Sequence, residues 1–158
     1  MHIDKIFSLP QLVFKVCGNI MSLINESNFT NITSLKNLAF SPLFQNCTKL
    51  VDAENLILPA TTLNVRTYYR MFKGCTGLIN GPKILAPSLS WDECAYEMFS
   101  GCTKLSSLTC LATTVYSGNT TQWLYNVSNT GTFIKAKSAI WSAGSSGIPE
   151  GWTVIDAD

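Results

Sequence analysis

The sequence predicts a repeat solenoid, and three observations predict it. One eight-residue motif occurs three times, as LFQNCTKL (Leu43–Leu50), MFKGCTGL (Met71–Leu78) and MFSGCTKL (Met98–Leu105). The copies are evenly spaced: Cys47, Cys75 and Cys102 fall 28 and then 27 residues apart, and Phe44, Phe72 and Phe99 keep the same spacing. The likeness extends upstream, where LPATTLNVRTYYRMF (Leu58–Phe72) lies over LAPSLSWDECAYEMF (Leu85–Phe99), with Tyr69 and Tyr96 each three residues before the phenylalanine. A single coil of this length cannot bury its own apolar face, so neighbouring coils must stack.

Each coil of about 27 residues divides into a short extended part and a short helical turn. LVDAENLILP (Leu50–Pro59) and LINGPKILAP (Leu78–Pro87) are the extended parts, although their proline and glycine argue against regular central strands over the whole length. TYYRMF and CAYEMF carry aromatic residues and methionine at i, i+3 spacing, which predicts one helical turn. The following Gly-Cys or Asn-Cys supplies a turn, because glycine and asparagine tolerate a left-handed backbone. CLATTVYSGNTTQWLYNV (Cys110–Val127) is a decayed copy, with Trp123-Leu124 where Met-Phe belongs and Val127 where cysteine belongs. Beyond it, GTFIKAK (Gly131–Lys137) and GWTVIDA (Gly151–Ala157) read as two strands around the loop SAGSSGIPEG (Ser142–Gly151). They predict a β-hairpin-like cap with Trp141 and Trp152 on the final apolar layer, since solenoid ends need such cover. The expected organisation is a single domain over 1–158. Residues 1–42 form a lead-in and an eroded first coil, 43–127 the repeat coils, and 128–158 the cap.

Composition narrows the function. Only 13% of the 158 residues are charged and the net charge is +1, with no basic stripe to neutralise phosphates, so no nucleic-acid partner is expected. The apolar run Leu9–Ile24 is broken by Pro10, Gln11, Lys15 and Asn19, which is too polar for a membrane span and is not a clear export signal. It reads as a buried element on the first coil.

At the run YxxMFxGCTxL, with LPATTL between copies, the chain resembles the BspA-like leucine-rich-repeat proteins of Bacteroides-type bacteria. GNIMSLI (Gly18–Ile24) is similar to the lead-in of that family and residues 131–157 to its closing segment, so the resemblance covers roughly residues 18–157. It implies a fold of leucine-rich-repeat type at a cell surface or outside the cell, engaged in adhesion or recognition of a protein or glycan, without catalytic residues or a cofactor. The chain has fewer repeats than many relatives and no clear export signal, so a cytoplasmic or particle-associated place stays open. So does a second function class, a structural or assembly subunit, including a phage or particle component, that self-associates through an open N-terminal end.

Several constellations resemble chemistry and have a structural reading beside it. Cys47, Cys75 and Cys102 form a ladder of small buried thiols; disulfide bonding within the ladder is the alternative, and no histidine accompanies them to make a zinc site. Cys17, Cys94 and Cys110 lie off the ladder and cannot be paired from the sequence. The one histidine, His2, offers no base for a nucleophile. The acidic cluster Asp92, Glu93 and Glu97 would serve an enzyme only in a deep pocket. In the repeat alignment Glu93 lies over Arg66 and Glu97 over Arg70, which predicts two inter-coil ion pairs that fix register. Phe44, Phe72, Phe99, Tyr69 and Tyr96 recur with the coil and are expected in the core. Tyr68, Trp91 and Tyr125 are candidate binding aromatics, with packing on the next coil the alternative for Trp91. Six Asn-x-Ser/Thr sequons, from Asn25 to Asn126, carry little weight in a chain this rich in asparagine and threonine.

Overall fold

The computed structural model describes residues 37–158 apart from 39 and 59. The lead-in, the export-signal question, Cys17 and most of the eroded first coil therefore lie outside the described residues. What is described is a β-solenoid of about four turns. The strands are β1 (Ile57–Leu58), β2 (Asn80–Ile84), β3 (Ser88–Leu89), β4 (Ser107–Cys110), β5 (Thr114–Val115), β6 (Gly131–Lys135) and β7 (Trp152–Asp156). They form a parallel five-stranded sheet in the order β1-β2-β4-β6-β7 and a two-stranded sheet of β3 and β5.

Stacking sets the register. Leu58, Ile84 and Cys110 are aligned partners in successive rungs and all face inward. Leu108 and Phe133 form a second inward column. The inward column that starts at Leu58 ends on Lys135 and Asp156, whose side chains pair at 2.6 Å, so that column turns polar where the stack closes. In β2, Pro82 lacks an N–H for the ladder, and the register shifts between Asn80 and Lys83.

The second half of each coil differs from expectation. No helix occurs among the described residues; the segments at 64–75 and 91–102 are ribbons of overlapping turns. Backbone donors alternate. The N–H groups of Thr67, Tyr69, Met71, Lys73 and Cys75 donate to carbonyls three residues back, within the coil. Those of Arg66, Tyr68, Arg70, Phe72 and Gly74 donate to Asp92, Cys94, Tyr96, Met98 and Ser100 of the next coil. An α-helix keeps its N–H groups for itself; here every second one is spent on stacking. The chain stays in this ribbon by entering the left-handed region every fourth residue, at Arg66, Arg70 and Gly74 and again at Glu93, Glu97 and Gly101. The period is therefore four, with two residues inward and two outward. Pro42 stands at the first-coil position of Arg70, where no N–H is available to cross to the next coil.

The third left-handed column reads Asn46, Gly74, Gly101, Asn126. A β-carbon on Gly74 would collide with the Asn46 side chain, whereas one on Gly101 would meet only the Gly74 backbone at 3.7 Å. Placing an L side chain in this region costs roughly 1–2 kcal/mol. Gly101→Ala is expected to lose about that much and Gly74→Ala clearly more, as read from urea unfolding midpoints.

The core is a pile of rings. Phe44 stacks on Phe72 at 5.2 Å, and Phe72 on Phe99 at 5.4 Å. Phe99 meets the edge of Trp123 at 6.3 Å, and Trp123 stacks on Trp141 at 4.9 Å. Such pairs add about 0.5–1.5 kcal/mol beyond the area they bury.

The hairpin-like cap is corrected. β6 and β7 pair in parallel, with Gly131 opposite Trp152 and Lys135 opposite Asp156. Parallel neighbours need a crossover, and residues 136–151 are one. The closing segment is thus two further rungs of the same sheet, and its crossover lays Trp141 over Trp123. Trp152 is buried, its indole N–H donating to the Ser128 carbonyl at 2.8 Å.

Candidate interaction face

The outward positions of the turn ribbon make one continuous face. Arg66 Nε lies 2.5 Å from Glu93 Oε2, and Arg70 Nε lies 2.6 Å from Glu97 Oε2. Lys73 joins the second pair, with Nζ 2.7 Å from the same Glu97 oxygen. Lys73 has no charge opposite it in the repeat alignment, so it was not legible as a partner. All four residues of the two Arg–Glu pairs have left-handed backbones, which puts them at matched turns of adjacent coils.

Glu97 is nearly buried, with 8% of its surface exposed. Burial alone pushes its carboxyl up, but hydrogen bonds from Lys73 and Arg70 outweigh that and hold it below the ordinary value of 4.5. A depressed carboxylate stabilises the fold above its unfolded-state value, and the stabilisation is lost as pH falls through the folded one. Glu97→Gln leaves two cations beside a neutral amide and is expected to cost about 1–3 kcal/mol near neutrality. The difference from the parent should shrink below about pH 4.5, measured as urea midpoints across an acid series.

Two aromatic assignments change. Tyr69 and Tyr96 are half-buried and sit on the surface, where their rings stack at 5.2 Å with the Arg70 guanidinium 4.8 Å from the Tyr69 centroid. Tyr68 is fully buried and stacks on Phe40, so it is unavailable as a binding aromatic. The reason for both is the four-residue period: i, i+4 selects Tyr68 with Phe72, where helical i, i+3 selects Tyr69. Burial pushes the Tyr68 hydroxyl far above its ordinary pKa, and that hydroxyl has no hydrogen-bond partner.

Trp91 and Tyr125 are exposed, at 47% and 53%. A third exposed aromatic, Tyr116 at 58%, was missed. It lies 25 residues after Trp91, the same offset that puts Trp123 over Met98, so the alignment held the signal.

The described cysteines, Cys47, Cys75, Cys94, Cys102 and Cys110, are all buried. The Cys75 thiol donates to the Phe44 carbonyl and the Cys102 thiol to the Phe72 carbonyl, each at 3.0 Å. Cys47 is disulfide-bonded, though not within the ladder, since Cys75 and Cys102 are free. Cys94 and Cys110 are free and buried, and burial pushes their thiols up to about 11 and about 12.

Among the described residues no group of three or more His, Cys, Asp or Glu side chains is placed to hold a metal ion, and no helix is long and apolar enough to cross a membrane. Two shallow depressions lie away from Asp92, Glu93 and Glu97. One, of about 480 Å³, is bounded by Leu111, Ala136, Lys137 and Ala157; the other, of about 280 Å³, by Leu124, Asn126, Gly144 and Pro149. The chain matches no known family, no curated protein and no solved structure.

Proposed function

We propose that the chain is a non-enzymatic recognition module of the leucine-rich-repeat, BspA-like kind, presenting its turn-ribbon face to a protein or glycan at a bacterial cell surface. The observation that carries this is how the reactive side chains are used. Glu93 and Glu97 are paired across coils, and the ladder thiols Cys75 and Cys102 bond backbone carbonyls. Beside the exposed Arg66 and Asp92, the face offers three aromatic side chains to solvent: Trp91, Tyr116 and Tyr125. Exposed tryptophan and tyrosine are the residues that anchor recognition surfaces. The test is a binding screen of the purified chain against surface proteins and glycans, followed by Trp91→Ala, Tyr116→Ala and Tyr125→Ala. A ligand whose affinity falls with these substitutions supports the module.

One observation favours the second reading, an assembly subunit. β7 is an edge of the large sheet and exposes Val154 and Ile155. An edge strand is a template for pairing. Light scattering separates the two: a monomer over a wide concentration range fits the recognition module, whereas a concentration-independent oligomer broken by Val154→Lys fits assembly.

A further inference from the structure

We infer that Cys47 is joined to Cys17 by a disulfide, a covalent latch between the residues that precede the described stack and its first coil. The chain has six cysteines. Cys47 is disulfide-bonded, while Cys75, Cys94, Cys102 and Cys110 are free. Within the chain that leaves Cys17 as the partner.

The register of the stack points to the same residue. Each later ladder thiol reaches back to the preceding coil. Cys75 Sγ donates to the Phe44 carbonyl, 31 residues upstream, and Cys102 Sγ to the Phe72 carbonyl, 30 residues upstream, each at 3.0 Å. The same steps back from Cys47 fall on Val16 and Cys17. Where the later rungs offer a carbonyl, the sequence thus offers Cys47 a second sulfur. The other four thiols are kept from the same fate by their surroundings. All are buried, and burial pushes Cys94 to about 11 and Cys110 to about 12. Burial and the neighbouring Cys75 also hold the Cys102 thiol well above its ordinary value. The thiolate is the attacking form, so these cysteines exchange poorly.

The bond forms by thiol–disulfide exchange with a disulfide oxidant, such as glutathione disulfide. One cysteine loses its proton and attacks an oxidant sulfur, giving a mixed disulfide and releasing one thiol. The second cysteine, also deprotonated, displaces the other half. Two cysteine thiols become one disulfide, and the oxidant leaves as two thiols. Such bonds persist in oxidising compartments, so the latch places the mature chain outside a reducing cytosol, whatever ligand the chain recognises. It closes a loop over residues 17–47, which restricts the unfolded chain and stabilises the coil that carries Phe44 against Phe72.

The experiment maps the bond in the full chain. The protein is equilibrated with glutathione and glutathione disulfide, denatured, alkylated without added reductant and digested with trypsin. Cleavage after Lys15, Lys36 and Lys49 places Cys17 on residues 16–36 and Cys47 on residues 37–49, with no other cysteine on either. The expected result is that these two peptides are joined and separate with dithiothreitol, while Cys75, Cys94, Cys102 and Cys110 are alkylated. Cys17→Ser should leave Cys47 alkylatable and lower the thermal midpoint by several degrees. Alkylation of both Cys17 and Cys47 in the equilibrated parent, linkage of Cys47 to another cysteine, or a dimer joined through Cys47 overturns the pairing. An unchanged midpoint in Cys17→Ser overturns its role as a latch. A failed ligand screen touches neither result.

Discussion

Replacing Trp123 by alanine is expected to be the most damaging single substitution on the described surface or core, costing about 3–5 kcal/mol. Trp123 is where the phenylalanine pile hands over to the closing segment. It is fully buried, presents its edge to Phe99, stacks on Trp141 at 4.9 Å and meets Phe133 at 6.0 Å. Its indole N–H donates to the Gly147 carbonyl at 2.7 Å, which ties the crossover to the last ribbon. Alanine removes the ring from three aromatic partners at once and strands that carbonyl. A domain of this size holds about 5–15 kcal/mol in all, so the variant should sit near the edge of folding. Trp123→Phe keeps an aromatic layer and loses the Gly147 hydrogen bond, and an intermediate cost of about 1–3 kcal/mol is expected. Urea unfolding followed by circular dichroism measures both. A loss below about 1 kcal/mol for the alanine variant would show that the closing segment does not depend on this joint.

Stacking and register were legible because identical spacing leaves little choice. Once Cys102 lies over Cys75, Arg66 must lie beside Glu93 and Arg70 beside Glu97. The internal form of the ribbon was harder to read. Local propensity sees a Tyr, Met and Phe cluster and offers a helical turn, because an isolated segment must satisfy its own N–H groups. In the stack, half of those groups bond the neighbouring coil, and that long-range partner is invisible in a single segment. The trace it leaves is a pattern of adjacent apolar pairs four residues apart, such as Cys94-Ala95 followed by Met98-Phe99. The left-handed backbone at Arg66, Arg70, Glu93 and Glu97 gives no signal of its own, since these residues are not turn formers. The closing strands show the same division. Alternation in GTFIKAK marks a strand but not its direction, which depends on what the crossover packs against. Of the candidate face, Trp91 and Tyr125 were visible as aromatics. Tyr116 required carrying the repeat alignment into its decayed last copy, and Tyr68 required the correct period.

Deleting residues 131–158 is expected to yield insoluble protein, and the reasons are now specific. The deletion removes β6 and β7, leaving β4 as an open edge with the inward Leu108 and Cys110 at its end. It uncovers Trp123. It also takes away the partners of the last ribbon: the Ser145 carbonyl for the Leu124 N–H, the Ser146 hydroxyl for the Gln122 N–H and the Ser146 carbonyl for the Thr120 hydroxyl. An unpaired edge beside an apolar layer is a template for aggregation. A shorter deletion, from Gly151 onward, provides the contrast. It removes β7 and the buried Trp152 but keeps Trp141 on Trp123 and both serines on the ribbon. That variant is expected to stay soluble with a lowered unfolding midpoint, because in the layer it exposes one inward column has already turned from Leu58, Ile84 and Cys110 to Lys135, and Phe133 of the other still packs against Trp123 and Trp141. Soluble yield and the cooperativity of urea unfolding distinguish the two truncations. A soluble, cooperatively folding product of the longer deletion would show that the four ribbons close on themselves and that the last two rungs serve another purpose.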